Sequence, residues 1–348
     1  ATDAIVIPRG NTAQRPGSAY DGMVRYNSQT NKFEGRIAGA WADFVTGATV
    51  SPGAPDRGIQ FNSGGGFAAS SNFVYGTDGD LLLSGTYTGI ASPPATGAGT
   101  RLFFDVQRAA FRAGDVTGTQ WNSGSLGDYS IAVGQDPIAS GAASAAFGRE
   151  TTASGNRSLA IGWLNTASGA QSFAGGLNSS ATTNQAFAFG SAVQATGLSA
   201  AAFGSATIAS GATSFSAGTQ TAASGFTSIA LGRKVTAGSG TAGDGAGDGS
   251  MAIGLFDDAT TITTSSRVTG VESLGIFMGD QDGLTMSANR TMGLFGGSMV
   301  IDPAVPATQL SARATLDMGA ATDAVIVPLG NTAQRPGSAH DGMVRYNS

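Results

Sequence analysis

The chain has no cysteine, a single histidine, and charged side chains at only 12% of its 348 residues, about half the share in an average protein. Without cysteine there is neither a disulfide framework nor a thiolate metal site. One histidine, His340, with no cysteine leaves no Ser–His or Cys–His nucleophile pair. No apolar run approaches the ~18 residues of a membrane span. The first residues lack the basic-then-apolar pattern of a signal peptide, so no membrane insertion is expected. The chain starts at Ala1 rather than Met, which reads as a processed product or a fragment. Net charge is −5, with lysine and arginine scattered, so nucleic acid is not an expected partner. No segment has a helical period, and a glycine-rich phosphate cradle needs a helix N-terminus. No cofactor is therefore expected.

What the chain does have is glycine, at 54 positions, and 41% hydrophobic residues. That composition is unlike an ordinary globular domain and too apolar for a disordered one. Repetition explains it. From Gly127 the sequence divides every fourteen residues, GDYSIAVGQDPIAS, GAASAAFGRETTAS, GNRSLAIGWLNTAS and so on, for eight units up to Gly238. An insert, SGTAGDGA, precedes a ninth unit beginning at Gly247. The eighth position is glycine in all nine units: Gly134, Gly148, Gly162, Gly176, Gly190, Gly204, Gly218, Gly232 and Gly254.

Positions four to eight alternate small and bulky residues, the period of a strand. Fourteen residues are too few for a strand and a helix, so each unit reads as one coil of two short strands and two turns. Nine coils at ~4.8 Å give a rod of roughly 43 Å. The bulky fifth and seventh positions are complementary in volume: Phe173 goes with Gly175, Ala201 with Phe203, Leu159 with Ile161. Such conservation suits a shared packed cavity, so both positions are expected to point into the roll, opposite the alanine at position thirteen. Phe187 and Phe189 break the pattern and suggest a wider coil. The Ser/Ala/Gly face is then left for contact with other chains, in keeping with the absence of charge from Ser158 to Gly232.

The pattern GxxSxAxGxxxxAS, over residues 127–260, resembles the head repeat of YadA-type trimeric adhesins, and similar repeats occur in bacteriophage tail fibres. The resemblance implies an all-β fold: a left-handed parallel β-roll of fourteen-residue coils, homotrimeric, here flanked by small β-meander modules. It carries over no catalytic residues; from the residues themselves no metal site is expected either. The partners the resemblance implies are two further copies of the chain, other fibre or baseplate proteins, and a host cell-surface glycan or protein.

A second repeat brackets the roll. ATDAIVIPRGNTAQRPGSAYDGMVRYNS (1–28) returns at 321–348 with five differences, three of them Ile/Val exchanges. In the first copy, MVRY, KFEGR and WADF read as a three-strand meander, similar to short modules of phage tail fibres. The expected organisation is a meander module at 1–50, an irregular β connector at 51–126, the roll at 127–260, a β-rich connector at 261–320 and a partial second module at 321–348. The second copy stops before a counterpart of Lys32–Phe44. The natural chain is expected either to continue past Ser348 or to pair the edge Met343–Tyr346 with a neighbour.

Few residues invite chemistry. Asp257/Asp258 and Asp280/Asp282 are candidate carboxylate pairs for a glycosidase, but aspartates in glycine-rich turns are ordinarily solvated turn-formers. GDGAGDG (243–249) and GDQDG (279–283) suggest calcium, although neither matches a known calcium-loop spacing. His340 replaces Tyr20 of the first copy and reads as an interchangeable packing residue. Trp163 and Leu164 fall on a turn, where an aromatic ring can stack on a sugar or pack against a neighbour; they are the candidate receptor contact. The expected function is a non-enzymatic trimeric fibre of a phage or phage-like particle, at the virion tail or another extracellular surface, that attaches to a host. The alternatives are a bacterial trimeric surface adhesin and, behind it, a glycan depolymerase tailspike. An adhesin of that class would end in a heptad stalk and a membrane anchor, and here the start of the chain recurs instead.

Overall fold

Strands of five residues with glycine fourth and alanine second stack in register when every coil has the same length, and this determines the architecture. In the computed structural model, which describes residues 6–44, 53–89, 92–256, 262–279 and 281–297 together with four two-residue strands beyond them, Ile131–Gln135 pairs parallel with Ala145–Arg149, Gly134 opposite Gly148. The same pairing recurs coil by coil to Ile229–Arg233. A second parallel sheet of short strands, Ile138–Ala139 onward, carries the alanine of position thirteen. Each coil is thus a long strand, a turn, a short strand and a turn. Both turns place a residue in the left-handed region, at positions three and ten, as at Gln185 (φ 61°) and Ala192 (φ 54°). No α-helix occurs among the described residues. The chain divides into two units, 1–87 and 88–348.

The faces of the roll are the reverse of the sequence expectation. The alanines of positions six and thirteen, such as Ala188 and Ala195, are fully buried, and the serines of position four lie beside them. The bulky fifth and seventh positions point outward, leaving Ile161 42% and Phe189 49% exposed. Between its two sheets a fourteen-residue coil holds only alanine or serine at positions four, six and thirteen, and nothing larger than valine or asparagine at position eleven, as at Val193 and Asn165. Four of the position-four hydroxyls, those of Ser130, Ser172, Ser228 and Ser250, donate to the carbonyl three residues back, Ser172 to Gly169 and Ser228 to Gly225 at 2.7 Å; those of Ser144, Ser158 and Ser214 are buried without a partner. Asn165, fully buried at position eleven, adds an amide: its side-chain nitrogen donates to the Ile161 and Gly176 carbonyls (2.8 and 2.6 Å) and its side-chain oxygen accepts from the Ser179 backbone amide (2.7 Å).

Volume complementarity between positions five and seven has another cause. The rings tile the outer surface: Phe173 stacks on Phe187 at 4.6 Å and Phe187 on Phe203 at 5.0 Å between centroids. A Cβ on Gly175 would stand 2.8–2.9 Å from the rings of Phe189 and Phe173, so glycine leaves the room they occupy. The coil holding Phe187 and Phe189 keeps its register with both neighbours and is not the wider coil expected.

The roll is also longer than its repeat. Residues 261–320 were expected as a connector, yet Met251–Leu255 pairs with Leu274–Met278, and that strand with Met292–Phe295. Ser266–Val268 and Thr285–Met286 extend the short-strand sheet. Phe277 takes the register place of Gly254 and is buried, stacked on Phe295 at 5.1 Å. Gly275 beside it replaces the usual alanine.

At the other end, part of the expected irregular connector joins the same sheet. It follows four strands of a meander module, β1 (Arg9–Gly10), β2 (Val24–Asn27), β3 (Lys32–Ile37) and β4 (Ala40–Asp43), and an antiparallel sheet of β5 (Gly58–Ser63), β6 (Gly66–Tyr75) and β7 (Leu81–Leu83). Then β8 (Gly99–Asp105) and β9 (Ala110–Val116) form a hairpin. Strand β9 pairs parallel with Ile131–Gln135 and sets Arg112 opposite Ala132. Arg112 therefore points into the roll, fully buried. It donates to the Phe111, Ser130 and Ala139 carbonyls at 2.8, 3.1 and 3.0 Å, and to the Ser130 hydroxyl at 2.8 Å. Burial pushes its pKa down to about 10. Trp121, also buried, donates its indole N–H to the Pro137 carbonyl at 2.9 Å and meets Phe103 edge-on at 6.0 Å. Guanidinium and indole together plug the end of the roll, the capping that stacked repeats need.

In the meander module the polar side is the buried one. Glu34 is fully buried, paired with Arg15 at 2.5 Å and Arg25 at 3.2 Å, and it accepts from Asn27 at 3.1 Å. The hydrogen bond from Arg15 foremost, then that from Asn27 and the charges of Arg15 and Arg25, hold its carboxyl below the usual range. In the second copy Leu329–Gly330 pairs parallel with Tyr346–Asn347, matching Arg9–Gly10 with Tyr26–Asn27. The edge Met343–Tyr346 lies, but for Tyr346, outside the described residues.

Candidate interaction surfaces

The invariant glycines explain why the outer columns are straight. At eight of the nine repeat glycines, Gly134 to Gly232, φ lies between 98° and 142°, a region closed to other residues. A Cβ there would overlap the carbonyl oxygen of the glycine one coil on. Gly254 has no such φ, but a Cβ on it would collide with the Arg233 carbonyl. These residues are structural spacers.

With the glycines fixing each strand, positions five and seven form two parallel columns. They run across all thirteen strands of the larger sheet, from Leu102 and Phe104 on β8 to Leu294 and Met292. Following the register, neither column contains a polar or charged side chain. A lone sheet exposed to water normally alternates apolar and polar faces. Here the side turned to solvent is the apolar one, and an apolar patch of that extent marks an interaction site.

The sequence candidates lie beside these columns. Trp163 ends its strand, opposite Arg149 on one side and Leu177 on the other. Trp163, Leu164 and Leu177 are exposed together, the indole 45%. The Arg149 guanidinium lies 5.2 Å from the indole centroid, an exposed cation–π contact worth about 0.5–1 kcal/mol. Leu164 holds the left-handed turn at φ 57°, its amide donating to the Arg149 carbonyl at 3.0 Å. Flat indole, guanidinium and two leucines form a small platform whose chemistry suits a sugar face or an apolar side chain.

The acidic loops are spoken for by their own backbone. Asp282 accepts from the Thr263 hydroxyl and the Thr264 amide, both at 2.6 Å. Asp244 accepts from the Ser239 hydroxyl and from the Ala246 amide at 2.9 Å. These hydrogen bonds hold both carboxyls below their ordinary pKa. Among the described residues no three His, Cys, Asp or Glu side chains converge as metal ligands would. Asp257, Asp258, Asp280 and His340 lie outside the described residues. Sequence reasoning missed Arg112, Trp121 and the outward Leu102 and Phe104, all upstream of the repeat. Leu102, Phe103 and Phe104 are consecutive apolar residues, so the sequence reads as a strand there without saying which face is outward.

Residues 139–165 match the YadA head domain repeat, in two copies. The matched segment is two coils of the roll, and the same period and register carry that likeness to the coils on either side. No curated protein matches the chain. The YadA head is a trimeric β-roll, so its repeat brings with it an expectation of self-association through one face.

Proposed function

We propose that the chain is a segment of a homotrimeric attachment fibre, in which the roll is the rod and the outer columns are the contact between chains. The observation that carries this reading is the apolar character of both columns over thirteen strands, a surface that a single chain would leave in water. Burying an outward Phe or Leu contributes about 1.5–3 kcal/mol, and a thin roll with an alanine core has little else to stabilise it. The fibre acts by binding rather than by catalysis, outside the cell. Trp163 and Leu164 are its proposed receptor contact, with a host glycan or surface protein as partner.

The particle we assign is a phage or phage-like one, supported by the 28-residue module on both sides of the roll and its likeness to tail-fibre modules. The YadA head repeat itself favours a second reading, a bacterial surface adhesin. Antibody labelling of purified particles and of cell envelopes distinguishes them: label on particles alone supports the first, label on envelopes alone the second. Sedimentation tests the shared core. The native mass should be three times the 34.4 kDa of the chain, and a monomer would defeat both readings. Incubation with capsule or lipopolysaccharide should leave the glycans unshortened; shortened chains would restore the depolymerase alternative.

A further inference from the structure

A stack of near-identical coils has a register problem. Three such rods sliding past one another by one coil would meet almost the same apolar columns again, so the repeat alone specifies axial alignment weakly. Alignment has to come from parts of the same face that do not repeat. The hairpin β8–β9 is such a part. It is continuous with the columns, because Leu102 lies opposite Ala113 and Ala113 opposite Val133, while Phe104 lies opposite Phe111 and Phe111 opposite Ile131. β8 alone runs opposite to the other twelve strands of that sheet.

The hairpin is also held firmly. Phe103, between the two outward residues, packs inward on Trp121. Asp105 accepts from the amides of Gln107 and Arg108 at 3.0 and 3.2 Å, closing the turn. Thr100 donates to Asp115 at 2.9 Å across the strands. On this support Leu102 is 72% exposed, among the most exposed aliphatic side chains of the described residues.

We infer that the β8–β9 hairpin is the register lock of the fibre: Leu102 and Phe104 pack against the same residues of two further copies of this chain and fix the axial alignment of the three rolls. The occupant is a second copy rather than a foreign protein because the surface continues, without a polar break, the face that joins the rolls. The inference rests on the trimer reading above and extends it to residues outside the repeat.

The test uses the full chain and the double variant Leu102→Asp/Phe104→Asp, with Ser205→Asp on an exposed polar edge as control. Wild type and control should keep a native mass of three chains on dilution. The double variant should dissociate at a concentration roughly tenfold or more higher, with the circular dichroism of the folded roll retained. Leu102→Cys supplies the only thiol, so a short bis-maleimide should join chain to chain in the otherwise native trimer. A stable trimer of the double variant, together with a Leu102→Cys thiol that labels freely and does not cross-link, would overturn the inference and assign this face to another partner. A monomeric wild type would overturn the trimer reading itself, and the register lock with it.

Discussion

Replacing Gly204 with alanine adds one methyl group at a point where the structure has no room for it. The φ of Gly204 is 116°, and a Cβ would stand 2.9 Å from the carbonyl carbon of Gly218 and closer still to its oxygen. Relief by side-chain rotation is impossible, because both obstructing atoms belong to the ladder of the next coil. Backbone strain of this type costs about 1–3 kcal/mol, and overpacking against a rigid neighbour about 1–3 kcal/mol more. The expected loss is roughly 2–6 kcal/mol per chain, or a fall in melting temperature of roughly 5–20 °C for a roll of this size. The clash lies within one chain, so the fall relative to wild type should be unchanged when both proteins are diluted tenfold. Ser205→Ala, exposed one residue on, should melt within about 2 °C of wild type, as surface changes do. A Gly204→Ala protein melting with wild type would refute the coil spacing. A deficit that grew with dilution would move the glycine to the contact between chains.

Added bulk inside the roll should be costly: Ala202→Leu should lose about 1–3 kcal/mol or more in denaturant melts, and a variant as stable as wild type would show that the interior is wider than an alanine layer. Arg112→Ala opens a void in the end plug and should cost about 2–4 kcal/mol, whereas Arg112→Met, which refills the space without a buried charge, should recover at least half of that in the same melts. Glu34 is ionised more readily in the folded module than in the unfolded chain. Its contribution is complete above the unfolded carboxyl value of about 4.3 and is lost as pH falls through the lower folded value. Thermal melts between pH 7 and 3 should show that acid loss in the wild-type module, and Glu34→Gln, already weaker at pH 7, should flatten it.

The fourteen-residue period, a strand (read at positions four to eight, found at five to nine) and the glycine at position eight were legible in the sequence, because each reports a local constraint on the backbone. The inside and outside of the roll were not. Alternation says only that two faces differ, and the exchange of volume between Phe173 and Gly175 fits a closed core or a tiled exterior equally well. Coil width decides between them: alanines at positions six and thirteen, seven residues apart, face each other across a gap that admits no phenylalanine. The last coils escaped notice because inserted loops make their spacing unequal, although Leu274 and Met292 continue the column of Met251. Arg112 was invisible for another reason, since a charged residue in a strand reads as exposed unless its register against Ala132 is known. The Trp163–Leu164 turn was legible as a surface feature, whereas the continuous face beside it emerged only from the strand register.

The central claim is that the outer columns are buried between chains, and the absence of cysteine makes a direct measurement simple. Phe189 lies on an outer column and is half-exposed in one chain, while Ser191 ends the same strand on an exposed edge. Native thiol labelling of Phe189→Cys and Ser191→Cys in this chain at concentrations where it sediments as a trimer compares the two positions directly. The account predicts prompt labelling at Ser191→Cys and protection at Phe189→Cys that disappears on denaturation. Equal labelling of both thiols in the native protein would contradict it.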